Sequence, residues 1–243
     1  MEVTPIGVII LGLTALLGST LAGTTGFGGA AVLLPVLVHF FGIRDAIPIL
    51  TVAQLIGNGS RVWFHLAEVN WRVVGWFALG AIPMALTGGY VFSRAPSPLL
   101  LRLLGIFLLV TVGCRWLRIG AFPRLPLRGF AGIGAAFGFL SALVGGVGPF
   151  IVPFFLSFGL IKGAFIGTEA MATVTMHVFK LVAYDQTNLL SMRTVTAGLT
   201  LGPIMIIGSW LGKKIIYRIS SRVFVVLVET TLLVSGLHFL VSR

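Results

Sequence analysis

Apolar stretches of about 20 residues recur along the whole chain, separated by short connections. About 20 apolar residues in a helix cross the roughly 30 Å hydrocarbon core of a bilayer. Inside that core every backbone polar group must be satisfied by protein, so a recurrent pattern of this length admits helices and excludes open sheet. The segments fall at about 5–22, 28–42, 46–65, 72–93, 97–117, 129–144, 149–160, 162–184, 193–212 and 221–241, ten pieces with five in each half. Of the 243 residues 57% are hydrophobic and 9% charged, and the mean hydropathy is +1.08. That balance leaves no room for a soluble domain or a long linker. The expected class is an all-α integral membrane protein. Glu2 is the only charge before the first apolar run, so that run reads as a retained helix rather than a signal peptide. Cys114 is the sole cysteine, which excludes an intrachain disulfide and argues against a thiolate metal cluster.

The two halves resemble each other. Gly28 and Pro35 meet Gly146 and Pro153, each pair 118 residues apart. Pro83, Gly88, Arg94 and Arg102 meet Pro203, Gly208, Lys214 and Arg222 at a spacing of 120. The segments 28–42 and 149–160 are too short to cross: at about 1.5 Å per residue they reach roughly 18–22 Å. Each is expected to pair with the segment before it as a broken or re-entrant helical hairpin, followed by three transmembrane helices. An odd number of remaining crossings then sets the second repeat upside down, the inverted arrangement of many secondary transporters. The boundary is expected near 120, giving repeats 1–120 and 121–243.

Charge suggests an orientation. The 17 Lys and Arg outnumber six acids, an excess that in a soluble protein would point to nucleic acid but in a membrane protein marks cytoplasmic loops. With both termini outside, ten basic residues fall on the cytoplasmic side, five outside, and Arg61 and Lys180 within the membrane segments. The expected location is the cytoplasmic (inner) membrane, crossed many times. No nucleic-acid partner is expected, and no segment stands out as a dimerisation surface.

Two glycine clusters occupy the same place in each half: GTTGFGG (Gly23 to Gly29) and GGVGPF (Gly145 to Phe150). A break in lipid survives only where protein or a wet cavity satisfies the freed backbone, so both breaks should face inward. Pro149 suits the first turn of a helix, and Thr24 or Thr25 could serve free amides at the opposing break. A helix beginning at mid-membrane presents unpaired N–H groups and the positive end of its dipole. Two such beginnings face to face would hold an anion between Gly26, Gly28 and Gly29 on one side and Gly145, Gly146 and Gly148 on the other. The competing reading is that the glycines only allow close helix packing.

A polar face is also repeated. Gln54, Asn58, Arg61 and His65 share one helical face, and 119 residues later stand Thr173, His177, Lys180 and Tyr184 at the same spacings. Ionisable groups within a span are costly and normally face a cavity or a partner. Gln54, Asn58, Thr173 and His177 would form the binding point, with Arg61 and Lys180 as one cation on each approach. Alternatively the two cations snorkel to the headgroups. Glu169 and His177 are the candidates to carry a coupling proton, since a buried carboxylate and an imidazole both titrate within reach of neutral pH. Pairing of Glu169 with Lys162 or an arginine is the alternative. Glu229 is a weaker candidate without a counterpart in the first repeat.

The stretch GTTGFGGAAVLLPVL, the NWR at Asn70 to Arg72, and LVGGVGPFIVPFFLSFGLIKGAFIGTEA in the second half resemble the TauE/SafE sulfite exporter family. The resemblance covers essentially the whole chain. It implies transport of sulfite, a sulfonate or a related small organic anion without an ATPase subunit. No cofactor is expected, and the expected coupling ion is a proton or sodium. Ala30, where many members continue the glycine run, and Pro149, in place of a glycine, depart from the family pattern. No G-x-x-x-x-G-K-[ST] is present, so transport would follow a gradient. An intramembrane enzyme is the second class, but His39, His65, His177 and His238 form no H-E-x-x-H and no serine sits in G-x-S-x-G. A scaffold, or the membrane subunit of a larger complex, is the third.

Overall fold

The computed structural model describes residues 4–26, 29–116, 125–215, 233 and 236–241. Glu229, and Arg118, Arg124, Arg218, Arg222 and Arg243 of the charge pattern, lie outside the described residues. The described chain is helical throughout: α1 (Pro5–Thr25), α2 (Gly29–Phe64), a 3-10 turn at Leu66–Glu68, α3 (Trp71–Arg94), α4 (Ser97–Trp116), α5 (Gly129–Val144), α6 (Gly148–Ser157), α7 (Lys162–Gln186), α8 (Met192–Ile215) and a last stretch at 236–241. Five of these, α1, α2, α3, α4 and α8, are long and apolar enough to cross a membrane. α7 is as long at 25 residues but less apolar, because Glu169, Thr173, His177 and Lys180 run along it and are all buried.

Local chemistry sets the helix ends. The Thr4 hydroxyl accepts from the Gly7 N–H at 3.2 Å while Pro5 opens the first turn of α1. Asn70 caps α3 by accepting from Val73 N–H at 3.2 Å. α1 stops at Gly26, whose φ of 80° only glycine adopts without strain, and its N–H closes onto Ala22 O at 2.9 Å. α5 stops in the same way at Gly145, with φ 78° and its N–H on Ser141 O at 3.0 Å.

α2 is a hairpin rather than one rod. Gly42 leaves helical geometry at φ 71° and ψ 163°, and a Cβ placed on Gly29 would lie 3.3 Å from Gln54 Nε2. Those two residues would stand about 37 Å apart in a straight helix, so the chain folds back at Gly42. The first arm, 29–41, reaches about 20 Å. α6, with its 10 residues, reaches about 15 Å and returns through Gly159, at φ 98°, into α7. Both short arms stop well inside the roughly 30 Å thickness of a bilayer core.

Packing between the halves is reciprocal. α1 lies on α8 as α5 lies on α3, and α2 lies on α8 as α7 lies on α3, while α2 and α7 meet each other. Small residues bring the outer pairs close: a Cβ on Gly88 would sit 2.8 Å from Phe139 O, and one on Gly208, 120 residues later, 2.7 Å from Leu16 O. Phe130 and Phe155 meet edge to face at 5.0 Å and lock α5 to α6. The α2–α7 contact at the centre is where the polar residues collect.

Candidate functional site

The two chain breaks face each other across that contact. A Cβ on Gly146 would come within 3.2 Å of Ala30 Cβ and 3.3 Å of Ala31 N, so the loop before α6 lies against the first turn of α2. The first-turn N–H groups of α2 have no acceptor within their own helix; at α6, Pro149 has no N–H and those of Phe150 and Ile151 close onto Val147 O at 3.0 and 3.3 Å, which leaves Gly148 N–H at the break. Between them is a cavity of about 40 Å³, room for a few atoms rather than for a ligand that would need several hundred Å³. Its wall carries Gly26, Gly29, Gly145, Gly146 and Gly148 from the breaks, and Gln54, Asn58, Arg61, Glu169, Thr173 and His177 from the long arms of the two hairpins.

Arg61 is 4% exposed and Glu169 2%. Arg61 Nη1 lies 3.2 Å from Glu169 Oε2 and also donates toward Gly26 O at 2.8 Å and Ala22 O at 3.3 Å. Arg61 Nη2 donates to Asn58 Oδ1. The guanidinium thus joins the end of α1, the long arm of α2, and α7. Thr173 Oγ1 has the Glu169 backbone carbonyl at 2.8 Å and Glu169 Oε1 at 3.0 Å. Both cations are buried, which removes the headgroup alternative: Lys180 is 1% exposed.

Lys180 does not line the cavity. Its Nζ donates to Ser141 Oγ at 3.0 Å, and Ser141 Oγ donates to Gly145 O at 3.2 Å. Ser141 and Gly145 stand 119 residues after Ala22 and Gly26, as Lys180 stands after Arg61. Each cation therefore holds the carbonyl end of the first helix of its own half, where the dipole is negative. Glu169 breaks the correspondence, since its counterpart is Leu50.

Two buried groups have no hydrogen-bond partner among the described residues: Gln54 Nε2 and His177 Nδ1. An orphaned buried amide costs its full desolvation unless a ligand or water completes it. Both sit in the cavity wall. Gln54 Nε2 is purely a donor, the first-turn amides are donors, and Arg61 is a donor. The lining is thus biased toward an acceptor-rich guest.

Among the residues singled out from sequence, Thr24 differs: its hydroxyl turns back to Leu21 O at 2.8 Å instead of serving the opposing break. That is the usual retreat of a helical threonine onto its own carbonyls. Gly28 and the side chain of Thr25 lie outside the described residues. Ser141 went unread in the sequence; a lone serine four residues before a glycine break in an apolar segment was the available signal. Met176 and Ile151 add apolar wall that no polar pattern could reveal.

No solved structure matches the chain. It is 28% identical over 265 residues to a Bacillus subtilis (strain 168) protein described as "Probable membrane transporter protein YjnA", with 97% of this chain and 99% of that one covered. The profile of the family described as "Sulfite exporter TauE/SafE" matches residues 11–239. Spanning nearly every described helix, that match assigns the chain, which belongs to the TauE/SafE sulfite exporter family of membrane transporters.

Proposed function

We propose that the protein is a secondary transporter of a small anion, with sulfite or a sulfonate as the leading class, across the cytoplasmic (inner) membrane. The observation that carries this reading is the convergence of two helix beginnings, Arg61 and the unpartnered Gln54 amide on one small buried cavity. Positive dipole ends and uncompensated donors favour negative charge. The one carboxylate in the lining among the described residues, Glu169, is already paired with Arg61, so a cation finds no free negative charge to hold. The reciprocal packing of the halves suits two inverted repeats, 1–120 and 121–243, that rock about the cavity and open it alternately to each side. Both termini would then lie outside.

Two measurements test this. The purified protein is screened by thermal shift against sulfite, sulfate, thiosulfate, sulfonates and small carboxylates, and is then reconstituted into liposomes for uptake of labelled sulfite. Stabilisation by an anion, together with uptake that Gln54→Leu weakens, supports the reading. Protein that is stabilised by none of them and moves no anion alone would leave the scaffold or subunit role instead.

A further inference from the structure

Arg61 has more acceptors than it needs. Its Nη1 carries two hydrogens and faces three oxygens, Gly26 O at 2.8 Å, Ala22 O at 3.3 Å and Glu169 Oε2 at 3.2 Å. The two carbonyls suffice to hold it, so Glu169 can leave without orphaning a donor. Glu169 is equally provided for. Thr173 Oγ1 has a single hydrogen and two acceptors, the backbone carbonyl and Oε1 of Glu169. If Thr173 donates to the carbonyl, its oxygen is free to accept from a protonated Glu169. The carboxyl therefore has a partner whether it is ionised and on Arg61 or neutral and off it.

Other charges around Glu169 do not substitute for it. From α2 only Arg61 reaches it. At the neighbouring loop, His65 and Glu68 pair with each other at 3.5 Å, lie against Gly167 and Gly163, and do not line the cavity. α3 begins beside α7 with Asn70, whose N–H donates to Thr168 Oγ1 at 2.9 Å, and its Arg72 is exposed. α6 holds no titratable residue. On α7 itself are His177, in the cavity wall, and Lys180, committed to Ser141.

An anion entering this cavity meets Arg61, the one guanidinium in its wall among the described residues, already neutralised. Two negative charges sharing Arg61 would leave one of them buried and uncompensated, which a buried site strongly disfavours. A protonated Glu169 removes the conflict. Resting on the anion-transport reading, we infer that Glu169 is the coupling carboxylate: it yields Arg61 to the anion as it takes up a proton, so that anion and proton cross together. The balance is simple. One O–H bond forms between a proton from water and the Glu169 carboxylate, Arg61 keeps its charge, and a monoanion plus one proton carries no net charge. On the far side the anion leaves, the proton returns to water and the carboxylate returns to Arg61. Glu169 is the one carboxylate in the cavity wall among the described residues, with Leu50 at its counterpart, which sets the coupling at one proton per turnover.

The test is calorimetric titration of the purified full chain with methanesulfonate and thiosulfate, neither of which takes a proton near neutral pH. Runs in two buffers of different ionisation enthalpy give the protons taken up on binding. Wild type is expected to take up about one proton per anion, with affinity rising about tenfold for each unit of falling pH while Glu169 is ionised in the empty protein. Glu169→Gln is expected to bind with no proton uptake and no pH slope. Binding by wild type without proton uptake overturns the inference and needs no variant to fold. Undiminished uptake in Glu169→Gln also overturns it and moves the proton to His177. If neither anion binds wild type at any pH, the transport reading falls with it.

Discussion

Removing the two members of the Arg61–Glu169 pair, singly and together, should reveal a strong coupling. The pair is fully enclosed, and breaking a buried ion pair from one side costs about 3–5 kcal/mol. Glu169→Leu belongs at the lower end, about 3 kcal/mol, because Arg61 keeps Gly26 O, Ala22 O and Asn58 Oδ1. Arg61→Leu belongs nearer the upper end, about 5 kcal/mol, since it forces Glu169 to take a proton and strips Gly26 O and Asn58 Oδ1 of their partner. The double variant buries no charge. Its cost is the orphaned Gly26 and Asn58 oxygens, about 2–3 kcal/mol. The double change should therefore cost about 5 kcal/mol less than the sum of the single ones. The assay is reversible unfolding in mixed micelles, with thermal midpoints alongside; for a chain of this size the weaker single loss lowers the midpoint by about 6–12 °C. Additivity within about 0.5 kcal/mol would refute the reasoning, because two residues that do not neutralise each other in the folded state cannot be coupled.

Gln54→Leu should raise stability by about 1 kcal/mol, by removing an unpartnered buried amide, while weakening anion affinity about tenfold; the paired readouts are thermal midpoint and titration. Gly146→Leu should fold yet lose at least nine-tenths of liposome uptake, because even its Cβ stands 3.2 Å from Ala30 and the rest of the side chain enters a space of about 40 Å³. Gly26→Ala should destabilise by about 2 kcal/mol or more, from a φ of 80° and a Cβ only 2.5 Å from the Phe165 ring; trimming Phe165 to Leu should recover part of this loss, never all of it. Ser141→Ala should cost about 1–3 kcal/mol by leaving the Lys180 ammonium unpartnered, measured by unfolding.

Much of the cavity lining was legible in the chain because helical period and internal repetition carry spatial information. Spacings of 4, 3 and 4 in both halves put Gln54, Asn58 and Arg61 on one face and Thr173 and His177 on another, and those faces meet around one cavity. The glycine clusters were legible for the same reason, as breaks that lipid would not tolerate. What periodicity could not supply was the assignment of partners. Arg61 and Lys180 occupy matching positions, yet one pairs with a carboxylate and lines the cavity while the other reaches a serine on α5. That difference depends on Glu169 and Ser141, each without a polar equivalent in the other half. Thr24 failed because a threonine within a helix finds its own carbonyls sooner than a distant amide.

The glycine breaks present main chain rather than side chains to the cavity, and main-chain amides are the same in every protein. Substitution there can block the space but cannot retune what the amides prefer. Divergence toward new cargo within such a scaffold therefore falls on neighbouring side chains, among which 54, 58, 173 and 177 are uncharged polar positions that face the space here. Relatives with identical breaks and different residues at those four positions should carry different anions, so the cargo of a newly sequenced relative could be sorted by reading four letters.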